Sequence, residues 1–274
     1  MLRKGDLTQG GITGTLLHFT LPMLVGSFLQ QCYNIADTLI VGQCIGAGAL
    51  AAVGSAYTLM VFLISVLLGL AMGSGTVFSL HYGAGNHVAL RRSIFSSFAL
   101  IGIVTLILNV VVFIWLDPIL RLLQVPQDIY GMMRSYLWII FCGIVFTFIY
   151  NFYASLLRAV GDSVTPLWFL AVSVVLNIAL DLFFILQLDW GIQGAAAATV
   201  LAQGVAALGI IIYTYRRRPE LRWHHEDMCF DRTCLKEIAS FSTLTCVQQS
   251  VMNLGILMVQ GLSLIHISEP TRRR

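Results

Sequence analysis

Charge is what this sequence has least of. Only 11% of its 274 residues are Asp, Glu, Lys or Arg, where a soluble domain carries about a quarter. Mean hydropathy is +0.84. That scarcity argues against a soluble enzyme and against a nucleic-acid partner, and points to an integral membrane protein whose first partner is the lipid bilayer. A cleavable leader is not expected either: MLRKGDLTQGG lacks a short apolar core and leads into an apolar run already of spanning length. The six cysteines make no secreted disulfide framework, since Cys32, Cys44, Cys142 and Cys246 lie in or beside apolar runs and Cys229 and Cys234 in a charged segment.

What is present is a series of apolar runs, each long enough to cross a bilayer core of about 30 Å as a helix. Seven are read: Leu16–Gly42, Ala51–Leu80, Ile94–Leu116, Tyr136–Leu157, Leu167–Leu188, Gly191–Tyr215 and Ile238–Gly261. GQCIGAGALAAVG reads as the turn into the second, and DPILRLLQVPQDIYG, with two prolines, as an amphipathic connector. Gly69, Gly73 and Gly75 in the second span would let a neighbouring helix approach closely. With the N-terminus in the cytosol, eleven Lys and Arg fall on inner segments and two, Arg121 and Arg134, on outer ones, which sets the orientation.

Against this apolar background, Asp37 and Asp181 stand out, for they alone among the 13 acidic residues lie well inside apolar runs. An aspartate at mid-membrane costs about 2.5–3.5 kcal/mol on insertion scales, so it normally faces a cavity or a partner. Neither has a Lys or Arg within a turn. Gln30, Asn34 and Asp37 share one helix face; Ser173, Asn177 and Asp181 share another; Thr147, Asn151 and Ser155 a third; Thr199 and Gln203 a fourth. Counted from the span midpoints, Asp37, Asp181 and Thr199 all fall roughly 5–12 Å to the outer side of the membrane centre. Two such carboxylates must be protonated, share a proton or hold a small cation, which makes them a natural site for an exchanged ion. Asn177 and Thr199 would add neutral oxygens suited to a hard cation such as Na⁺.

Lesser features carry less. Pro22 removes a backbone hydrogen bond near the start of the first span and could act as a hinge. His224, His225, Cys229 and Cys234 lack zinc-site spacing, so no metal site is expected there. Sliding the chain by 218 residues aligns Leu29-Gln30-Gln31 with Val247-Gln248-Gln249 and Asp37 with Gly255, so the seventh span reads as a second copy of the first.

LPMLVGSFLQQCYNIADTLIVG, the ALAAVG turn, the GAGN loop and LLRAVGDSVTP together resemble the multidrug and toxic compound extrusion (MATE) family in its prokaryotic branch, over about Leu7 to Gly261. The resemblance implies an all-α polytopic membrane protein of two six-helix lobes, an antiporter rather than an enzyme. Such an antiporter exports amphipathic, often cationic compounds in exchange for H⁺ or Na⁺, with no other cofactor, and is a monomer at full length. It implies a cation site at Asp37, Asn177, Asp181 and Thr199, and a drug cavity lined by Gln30, Tyr33, Asn34, Thr147, Asn151 and Gln203 and shaped by aromatics such as Tyr33 and Phe148. The expected division is a cytoplasmic N-terminus (1–15), a six-helix lobe (16–215), a basic inter-lobe loop (216–236) and the first helix of a second, pseudo-symmetric lobe (237–261). From Leu262 the sequence LSLIHISEPTRRR leaves the membrane pattern and resembles translated transposase adapter. Residues 262–274 are therefore expected to be an artefactual tail, and the chain a fragment that does not transport although its parent, in the cell's inner membrane, does. Two rivals fit less well. A lipid-linked oligosaccharide flippase would need basic residues within spans that are nearly free of them, and an intramembrane aspartyl protease would need Tyr-Asp and Gly-x-Gly-Asp where Ile-Ala-Asp and Ala-Leu-Asp stand.

Overall fold

A computed structural model describes residues 12–222 and 232–268. These residues form helices α1 (Ile12–Cys44), α2 (Ala47–Gly83), α3 (His87–Leu122), α4 (Gln127–Cys142), α5 (Ile144–Ala159), α6 (Val164–Leu182), α7 (Gly191–Arg217) and α8 (Arg232–Ser268). A π-helical turn, Phe183–Gln187, extends α6, and a 3₁₀ turn, Pro219–Leu221, follows α7. Helices satisfy their own backbone groups, which is what lipid requires.

Among the described residues, four helical segments are long and apolar enough to cross a membrane, Ala47–Gly83, His87–Leu122, Val164–Gln187 and Gly191–Arg217, and the bent pair α4–α5 makes a fifth. Helices α1 and α8 have the length, 33 and 37 residues. Polar side chains such as Gln30, Gln31, Asn34 and Asp37 interrupt the apolar surface of α1.

Three connections differ from expectation. The turn before α2 is confined to Ile45 and Gly46, where Gly46 adopts φ 114°, and the Ala-rich ALAAVG segment is already helical. The amphipathic connector does not exist as such, because α3 runs through Pro118 to Leu122 and α4 starts at Gln127. The fourth span is longer than expected and is broken at Gly143 by a 47° bend. The break frees the Phe141 carbonyl, and the Asn109 amide of α3 donates to it at 2.9 Å. A Cβ at residue 143 would run into Val200, so glycine is what lets α7 come this close.

Helix α2 is the central strut, lined by small buried residues such as Ala52, Ala56, Ser65 and Ala71. Against it lies α8, which crosses so closely that a Cβ on Gly69 would sit 2.5 Å from the Cys246 Cα. Gly69-x₃-Gly73 meets Ser242-x₃-Cys246, small residues facing small residues. Ser242 Oγ donates to the Leu70 carbonyl at 3.2 Å, Thr245 Oγ1 to Gly69 at 2.8 Å and Cys246 Sγ to Val66 at 3.2 Å. The seventh span is thus docked rather than left without partners. Helix α8 continues through Leu262 to Ser268 without a break in its backbone. The proposed tail beyond residue 268, the first 11 residues, and His224, His225 and Cys229 lie outside the described residues. Cys234 is buried on α8, 3.1 Å from Ser93 Oγ of α3.

Candidate functional site

The polar residues of α1, α6 and α7 converge in one place. Asn177 and Asp181 are one turn apart on the face of α6 that packs against α7 and α1, and both are buried, at 1% and 0% exposure. Immediately beyond them the helix widens into the π turn at Phe183–Gln187, a departure frequent at functional sites. Helix α7 presents Thr199 to this face, and α1 contributes Tyr33 and Asp37, again one turn apart. Asp37 retains 8% exposure and Thr199 7%.

The contacts form a closed group. The Asp37 and Asp181 carboxyls lie close enough to act on each other directly. Asn177 donates through Nδ2 to Asp181 Oδ2 at 3.0 Å and accepts through Oδ1 from the Thr199 backbone N–H at 3.2 Å, the amide orientation that satisfies both ends. Tyr33 Oη lies 3.3 Å from Thr199 Oγ1. One oxygen on each acid, Oδ1 of Asp37 and Oδ1 of Asp181, is buried without a hydrogen-bond partner among the described residues. Two negative carboxylates brought together away from water repel each other. Their meeting therefore needs a proton between them, or a cation in its place. The oxygens on offer, two carboxylates with an amide and a hydroxyl, are hard donors of the kind Na⁺ takes.

Of the residues expected to line a drug cavity, Tyr33 instead joins the acidic group. Thr147 Oγ1 donates to Gln203 Oε1 across the α5–α7 contact. Asn151 turns back to the Thr147 carbonyl at 2.8 Å on its own helix, and Ser155 donates to the Ala71 carbonyl of α2 at 2.7 Å, so the shared face of α5 is divided among three partners. Gln30 is exposed, and Asn34 donates to Gln31 Oε1 at 3.1 Å rather than reaching Asp37. Phe148 is buried, with its ring 5.2 Å from that of Phe98 and 6.0 Å from that of Phe152. Helix α1 runs through Pro22 unbroken.

Tyr136 of α4, expected only as the start of the fourth span, is buried at 4% exposure. Its place at the start of the fourth span makes it indistinguishable, in sequence, from an aromatic of the membrane interface.

The MatE family model matches residues 22–183. The chain belongs to the MatE family. Among curated relatives, it is 35% identical over 217 residues to the "Probable multidrug resistance protein YpnP" of Bacillus subtilis strain 168, covering 79% of this chain and 49% of that protein. It is 31% identical over 210 residues to the "Multidrug export protein MepA" of Staphylococcus saprophyticus, covering 74% and 45% respectively. The chain thus spans about half the length of the curated relatives it matches. A solved structure described as the outward-facing conformation of a multidrug resistance MATE family transporter of the MOP superfamily superposes with a TM-score of 0.88 at 24% identity, over 96% of this chain and 59% of that one. That likeness is one of fold. In this MatE protein, the family match covers α2–α5 entire, most of α1 and all of α6, and so contains Asp37, Asn177 and Asp181.

Proposed function

We propose that this chain carries the cation-binding half of a secondary antiporter that exports amphipathic, often cationic compounds in exchange for H⁺ or Na⁺. The observation that carries the proposal is the buried meeting of Asp37 and Asp181, each with an unpartnered oxygen. Two acids that meet away from water, with no Lys or Arg between them, are stable together only when a proton or a cation is shared by the pair. Asn177 orients Asp181 and Thr199 orients Asn177, so the ion meets a preset cage. The family match and the names of the relatives support export as the work to which ion exchange is coupled. On this reading the N-terminus is cytoplasmic, the membrane is the cell's inner membrane, and the exposed Gln30 lies on the side where a second lobe and the drug would stand. The chain by itself binds the ion and does not export.

The test has two arms. Purified chain in lipid nanodiscs should bind ²²Na⁺ or release protons on a pH step, and Asp37→Asn and Asp181→Asn should each abolish that signal. A protein of the relatives' length carrying this lobe should drive efflux of a cationic dye from vesicles under an imposed ΔpH or ΔNa⁺, again lost in both variants. Ion binding unchanged in either variant would remove that residue from the mechanism, and dye efflux by the chain alone would refute its inactivity.

A further inference from the structure

At the end of α7 opposite Arg216 and Arg217, a cavity of about 510 Å³ lies between α4 and the start of α7. Its lining is Ile139 of α4, Asp189 and Trp190 of the bend before α7, and Gln193 and Ala197 one turn apart on α7. Sites for small organic ligands run from about 300 to 1,000 Å³, so the space is large enough for one. One acid, one indole, one amide and two aliphatic side chains face it. A metal ion is poorly served, since no group of three His, Cys, Asp or Glu able to hold one occurs among the described residues.

The bend presents these side chains by its backbone. Asp189 and Gly191 adopt φ 53° and 54°, left-handed conformations that turn the chain from the π turn into α7. Trp190 is pinned between them: its indole stacks on buried Phe184, ring centroids 5.1 Å apart at 26°, and its backbone N–H donates to the Phe184 carbonyl at 3.1 Å. The residue still keeps 52% of its exposure, so a ring already fixed in place is left open to a ligand. Asp189 is exposed, and among the described residues it has no ion pair and does not cap α7, whose N-cap is Trp190 without a side-chain bond. Arg134, the one basic residue of α4, is held by Asp117 at 2.7 Å. The C-terminal end of α6 with its π turn and the N-terminal end of α7 meet here with dipole ends of opposite sign, so the Asp189 carboxylate sets the sign of the local field.

We propose that this cavity is a binding site for an amphipathic organic cation, a quaternary or protonated amine that carries an apolar group. Its positive centre is drawn both to the Asp189 carboxylate and to the face of the Trp190 indole, so ion pairing and cation–π attraction act on the same charge. The apolar group lies against Ile139 and Ala197, and the Gln193 carbonyl accepts from a protonated amine where there is one. The site uses none of the residues of the acidic pair and does not depend on that pair exchanging an ion. With one charge and one ring, both open to solvent, binding is weak and sensitive to salt.

The test is ¹⁹F NMR of the purified chain, labelled with fluorotryptophan, in nanodiscs of zwitterionic lipid, with Trp190→Phe identifying the Trp190 resonance. Benzyltriethylammonium should shift that resonance saturably, and benzenesulfonate, aromatic but of opposite charge, should not. Asp189→Asn, which suits the same left-handed turn, should raise the Kd for the ammonium ion about fivefold, the worth of one charge pair in water, and high salt should weaken binding in the native chain. A Kd unchanged in Asp189→Asn would overturn the site. So would an equal response to the two ions, a comparison made on the native chain that holds even if the Asp189 variant fails to fold. A shift abolished by Asp37→Asn would move the ligand to the acidic pair and overturn the site as well, leaving the ion-exchange reading to its own test.

Discussion

Two seams run through this bundle, and they are built on opposite principles. Where α8 crosses α2, the polar side chains are weak donors already matched to carbonyls: Ser242 to Leu70, Thr245 to Gly69, Cys246 to Val66. Glycines bring the backbones together, and the one carboxylate at this seam among the described residues, Glu237 of α8, lies 3.6 Å from His81 near the end of α2. Where α1, α6 and α7 meet, the side chains are acids and an amide, held as closely, with an oxygen on each acid left over. The first seam is finished by the protein alone. On the proposed function the second is finished by a proton or a cation, which would be the physical difference between packing and a site.

That contrast can be broken most severely at the acids. Replacing Asp37 or Asp181 by Asn removes the charge but nearly keeps the shape, so ion binding should be abolished while the chain still inserts and folds; retention of both ion binding and fold would reduce this seam to packing. Next in size, Gly69→Leu forces a side chain into the Cys246 backbone. Overpacking of this kind costs about 1–3 kcal/mol, so α8 should part from α2 in a disulfide-trapping or unfolding assay while ion binding survives. A smaller loss is expected at the α4–α5 bend, where Asn109→Leu leaves the Phe141 carbonyl without its donor. The cost should be about 1–2 kcal/mol in a detergent melting curve, and Tyr136, carried by α4 just before the bend, should shift its fluorescence. The smallest effect belongs to Arg134→Ala: its pair with Asp117, at 2.7 Å, is exposed. Its loss should leave both melting and ion binding unchanged, since such pairs add little.

Much of the site was legible from spacing because helical periodicity is strict. Asn177 and Asp181 had to share a face, and depth counted along the spans brought Asp37 and Thr199 to the same level. Spacing could not tell which neighbour a side chain would choose. Thus Ser155 went to α2, Asn34 to Gln31, and Phe148 into an aromatic core, although each lay on a face that also held polar residues. Tyr136 was hidden for a related reason: a tyrosine near a span end has two common explanations, and only its burial distinguishes them.

Composition and periodicity were sufficient to make this a helical membrane protein and to single out two acids that lipid would reject, because the cost of charge in hydrocarbon acts on each residue separately. The meeting of those acids, the break at Gly143, the docking of α8 and the cavity beside Trp190 were settled by packing. Each depends on the distance between atoms far apart in the chain, and no local preference encodes a distance.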